Sequence, residues 1–60
     1  MELRYIGEDG LYGLAKGQTY NIDLFVKNNY IWVRVKVEYK SFTIPYTTPV
    51  AFANNWEVIR

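Results

Sequence analysis

The stretch from Thr19 to Glu38, TYNIDLFVKNNYIWVRVKVE, constrains the fold more than any other part of the chain. Apolar and polar residues alternate on both sides of Asn28-Asn29. Asparagine tolerates the positive φ that a tight two-residue hairpin loop needs. Folding the chain back there sets Val26 opposite Ile31, Leu24 opposite Val33, Ile22 opposite Val35 and Tyr20 opposite Val37. One side of the pair is then apolar throughout. The other side pairs Lys27 with Tyr30, Phe25 with Trp32, Asp23 with Arg34, Asn21 with Lys36 and Thr19 with Glu38. Opposed charges and opposed aromatics of this kind contribute roughly 0.2–1 kcal/mol per pair. A slip of one residue would send the valines to water and the charges to the core, so the register is strongly specified.

The rest of the chain supplies three more strands. Glu2 to Ile6 alternates, with Leu3 and Tyr5 on one side. Gly7, Gly10, Gly13 and Gly17 mark 7–17 as a loop, and Leu11, Tyr12 and Leu14 within it suggest that it packs. After the hairpin, Tyr39-Lys40-Ser41 is expected to turn. Phe42 to Tyr46 follows as a strand with Phe42, Ile44 and Tyr46 facing the core. Pro45 cannot donate to a ladder and belongs at an edge or a bend. Pro49 to Asn54 fits one helical turn with proline at its first position. Trp56 to Ile59 closes the chain as a strand, with Trp56 and Val58 expected in the core. Period two persists throughout, so no helix of ordinary length is expected. The expected architecture is a single all-β domain spanning 1–60. It has five short strands and one helical turn before the last.

Several classes of chemistry lack their parts. The chain holds 60 residues with no Cys and no His. Disulfide staples, the usual zinc ligand sets, an imidazole base and a thiolate nucleophile are therefore all excluded. A domain of this size buries only about 60 % of its unfolded surface. Its core must hold it, and half the residues are hydrophobic, including six Tyr, three Phe and two Trp. The glycine-rich loop does not match a phosphate cradle. Lys16 precedes Gly17, a strand follows in place of a helix, and Glu8 and Asp9 would repel phosphate. A net charge of +1 is too small to imply nucleic acid from bulk charge alone. No apolar run reaches the roughly 18 residues of a membrane span. A non-enzymatic, cytoplasmic protein without cofactor is expected.

Some residues carry a resemblance. Gly17-Gln18-Thr19-Tyr20-Asn21-Ile22 looks like the start of the second strand of SH3 domains. Ile31-Trp32-Val33-Arg34-Val35 sits where they carry Trp-Trp-x-Ala. Ile44-Pro45 and Asn55-Trp56-Glu57-Val58-Ile59 are similar to their Ile-Pro and Asn-Tyr-Val-x-x-Ile. Nearer still, Tyr5-Ile6-Gly7, Leu14-x-x-Gly17-x-x-Tyr20 and Glu57-Val58-Ile59 resemble short SH3-like proteins of Gram-positive bacteria and their phages. The resemblance implies a small SH3-like barrel. In signalling SH3 domains the proline-peptide groove uses Ala-Leu-Tyr-Asp-Tyr, where this chain has Leu3-Arg4-Tyr5-Ile6. Pro49 also stands well ahead of Asn55-Trp56, so that activity does not carry over.

Two sets of residues are candidates for binding. Phe25, Trp32, Arg34 and Lys36 fall on the side of the hairpin opposite the valines. Aromatics beside arginine anchor protein interfaces. The same set also suits single-stranded nucleic acid, with a base on Trp32 and phosphates on Arg34 and Lys36. A structural alternative has Phe25 and Trp32 covering a hydrophobic edge under the first loop. Tyr12, Tyr46 and Phe52 form a second candidate, a groove between that loop and the helical turn. The expected partner is another protein or a second copy of this one, with nucleic acid as the alternative.

Overall fold

Each expected strand forms in the computed structural model, which describes residues 1–59. The strands are β1 (Glu2–Tyr5), β2 (Thr19–Lys27), β3 (Tyr30–Val37), β4 (Lys40–Tyr46) and β5 (Trp56–Val58). They form one antiparallel sheet in the order β4-β3-β2-β1-β5. The short helix α1 (Pro49–Ala53) precedes β5, and a single 3-10 turn occupies Leu11–Gly13. This is the expected all-β, SH3-like architecture.

The central register matches the sequence expectation from Lys27↔Tyr30 through Leu24↔Val33 to Asn21↔Lys36. Asn28 and Asn29 both take positive φ, 53° and 66°, as a type I′ hairpin loop demands. The next turn differs from expectation. It lies at Glu38-Tyr39, not at Tyr39-Lys40-Ser41, because β3 and β4 stay paired up to Val37↔Lys40. Glu38 therefore belongs to the turn, at φ 50°, and not to a pair with Thr19.

The principal extents, 27 × 23 × 23 Å, are nearly equal, so the sheet is strongly coiled and not flat. Its ends are tied across the opening. Trp56 on β5 donates its indole N–H to the Tyr46 hydroxyl on β4 at 3.0 Å. Helix α1 packs on both of those strands. Thr48 caps the helix, its Oγ1 accepting from Ala51 N at 3.1 Å, and Pro49 opens it.

Every strand contributes to the core: Leu3, Tyr5, Ile22, Val33, Val35, Ile44 and Trp56, with Leu14 from the first loop. Burying each large side chain contributes about 1.5–3 kcal/mol. Two expectations about the core need correction. Val58 is 66 % exposed, at the last paired position of β5 opposite Leu3, where the strand ends. The apolar side of the hairpin is also not buried along its length. Ile22, Val33 and Val35 are sealed, but Leu24 is 40 % exposed and Val26 75 %. The distal half of β2 projects beyond the elements that cover its base.

Candidate functional site

Register places the site. Residues of odd number in β2 and even number in β3 point away from the core, and the β3–β4 pairing extends that face by one strand. Phe25, Trp32 and Pro45 form one row, Asp23, Arg34 and Thr43 the next, and Asn21, Lys36 and Ser41 a third. Lys27 and Tyr30 close the face at the hairpin tip. All four residues of the first candidate set therefore lie together.

The side chains interlock. The Phe25 and Trp32 rings are nearly parallel, 9° apart, with centroids at 6.3 Å. Tyr30 meets Trp32 edge-on at 6.1 Å. The Arg34 guanidinium lies 5.3 Å from the Phe25 ring centroid, within cation–π range. Lys36 reaches Asp23 at 3.4 Å. The Trp32 indole N–H donates to the Lys27 carbonyl at 3.1 Å, which fixes the ring across the face and leaves its surface for contact. The result is a broad aromatic plate with charged groups along one margin. Phe25 and Trp32 are half-buried, covered by each other, Tyr30 and Arg34 and not by the first loop. That loop sends Tyr12 to stack on Phe42, 6.3 Å away on the core-facing series of β4.

Sequence reasoning missed two members of the face. Pro45 is brought beside Trp32 only by the β3–β4 register, which the misplaced second turn obscured. Tyr30 was legible as a pair of Lys27 but was not grouped with Trp32, two residues along the same strand.

The second candidate set draws on the first loop, β4 and α1. Tyr46 and Phe52 meet edge-on at 6.0 Å, and the Tyr46 hydroxyl accepts from Trp56. Burial pushes the Tyr46 phenol above its ordinary pKa of 10.0, an effect that the Trp56 hydrogen bond opposes. Tyr12 stacks on Phe42. Tyr46 and Phe52 help to close the barrel, Tyr12 is 56 % exposed, and no pocket opens among the described residues. Nor do any three of its acidic side chains gather as a metal site there. No helix is long and apolar enough to cross a membrane. Comparison with protein-family models, curated proteins and solved structures yields no match to the chain.

Proposed function

We propose that this is a non-enzymatic interaction module of the cytoplasm, of the SH3-like kind found in Gram-positive bacteria and their phages, that binds another protein across the outer face of β2–β4. One observation carries this: the parallel Phe25–Trp32 stack, with Arg34 held against it, on a face that no other element covers among the described residues. Tryptophan, tyrosine and arginine dominate binding energy at protein interfaces. A pre-ordered plate also loses little side-chain freedom on binding. The neighbouring charges favour a protein over a nucleic acid. Lys36 is paired with Asp23 and Arg34 lies against Phe25, so a phosphate backbone would have to compete for both.

The test compares wild type with Trp32→Ala as bait for capture from the native host, before and after nuclease treatment. A partner held by wild type, retained after nuclease and lost with Trp32→Ala is expected. A partner held equally by both proteins would overturn the assignment of this face. So would an oligonucleotide that binds at about 50 mM salt and is released steeply as salt rises.

A further inference from the structure

The distal half of β2 has an open backbone edge. β1 pairs with β2 only as far as Glu2↔Asn21, and the Ile22 N–H donates to the Met1 carbonyl at 2.7 Å. In a strand, the backbone groups of every second residue point the same way. The N–H and C=O of Leu24 and Val26 therefore point to the same side as those of Ile22. Among the described residues no strand pairs with that side beyond Ile22. These same two residues carry exposed aliphatic side chains. An exposed apolar edge is a template for another strand.

We propose that this edge, Asp23–Lys27, pairs antiparallel with the same segment of a second copy, about a two-fold axis at Phe25. The sequence of the segment, Asp-Leu-Phe-Val-Lys, selects the occupant. A two-fold at Phe25 sets Leu24 against Val26 of the second copy, with their backbone groups exchanging hydrogen bonds. It sets Asp23 of each copy against Lys27 of the other, twice over. Among the described residues no carboxylate lies within ion-pair distance of Lys27 in its own chain. The open stretch is bounded by Met1 at one end and the Asn28-Asn29 turn at the other, and Phe25 is its midpoint. An isologous pairing uses up the edge and cannot propagate along it. It would also set the two Phe25–Trp32 plates side by side on one continuous sheet, making a two-fold binding face. The proposal stands on the backbone edge and its charges, independently of what the plate binds.

Cysteine scanning tests it cleanly, because the chain has no cysteine of its own. Residues opposed at a non-hydrogen-bonded antiparallel position have Cα atoms about 4.5 Å apart, within disulfide range. Phe25→Cys treated with oxidised glutathione is expected to become a disulfide-linked dimer. Asp23→Cys, whose counterpart lies several residues away along the ladder, is not. Tyr39→Cys, on the turn at the far end of β3, reports random collision. Sedimentation of the unmodified protein over a concentration series is expected to show a reversible dimer. Val26→Lys is expected to weaken that dimer by at least about tenfold without lowering the melting temperature at concentrations where the wild type is monomeric. A monomer at every concentration would overturn the proposal. So would Phe25→Cys linking no faster than Tyr39→Cys, or a dimer indifferent to Val26→Lys.

Discussion

Gly7 is the residue at which the first loop meets β5. A Cβ there would run into Asn55 Oδ1 and sit 2.7 Å from the Tyr5 hydroxyl. Both groups are held in place. Tyr5 donates to the Glu8 carbonyl at 2.8 Å, and Asn55 donates to the Ala51 carbonyl at 2.8 Å. Gly7→Ala should therefore cost about 1–3 kcal/mol, as overpacking does, read from urea unfolding. Glu38 presents the opposite case. Its φ of 50° is a conformation that costs a non-glycine residue roughly 1–2 kcal/mol. Glu38→Gly should raise stability, by up to about 1 kcal/mol after glycine's own entropy. A lower denaturation midpoint would show that the turn is held by something other than backbone preference. Tyr5 and Tyr46 link stability to pH. Burial is the main reason that both phenols titrate above 10.0, and Glu8 adds to the effect at Tyr5. The unfolded chain thus loses these protons before the native one does. Their contribution is intact below about pH 10 and is lost as pH climbs through the raised native values. A melting temperature that holds to pH 9 and then falls is expected; a flat profile to pH 12 would contradict it.

At the scale of elements, the β2–β3 hairpin shows what alternation encodes and what it omits. Pairing and facing were legible, because shifting Ile22, Val33 and Val35 by one position would expose them all. The depth of the core was not. Ile22 and Val26 look alike in a period-two pattern, yet one is sealed and the other is 75 % exposed. Which of them is covered depends on where β1 stops along β2, a non-local fact. The position of the second turn is not encoded locally, for a related reason. Glu38 carries no turn signal, and only the continuing β3–β4 ladder draws the chain around it. Val35→Ala should cost about 1–3 kcal/mol, whereas Val26→Ala should cost under about 0.5 kcal/mol in the monomer. Equal losses at both positions would mean that the distal hairpin is covered in the folded chain.

At the scale of the whole molecule, the barrel is closed by side chains where the sheet is not. Trp56 and Tyr46 bridge the two outer strands, with Tyr5 and Tyr20 edge-on to Trp56 at 5.2 and 6.2 Å. Tyr46→Phe would leave a buried indole N–H without its partner, at about 1–3 kcal/mol. The aromatics thus divide into two groups. Trp56, with its tyrosines, holds the barrel, and Trp32, with Phe25 and Tyr30, lies outside it. Periodicity alone separated the tryptophans, because Trp32 sits out of phase with the valines of β3. It did not reveal that Pro45 extends the plate, since that rests on pairing between distant segments.

The division between the two tryptophans is the claim on which the functional account rests, and one substitution tests it. Trp32→Ala removes the stack on Phe25 and the hydrogen bond to the Lys27 carbonyl but opens no cavity in the core. Its unfolding free energy, measured by urea titration, should fall by less than about 1.5 kcal/mol, while binding across the plate weakens by about 2 kcal/mol or more. A loss of about 3–5 kcal/mol in stability, as for a core tryptophan, with binding unchanged, would contradict the account.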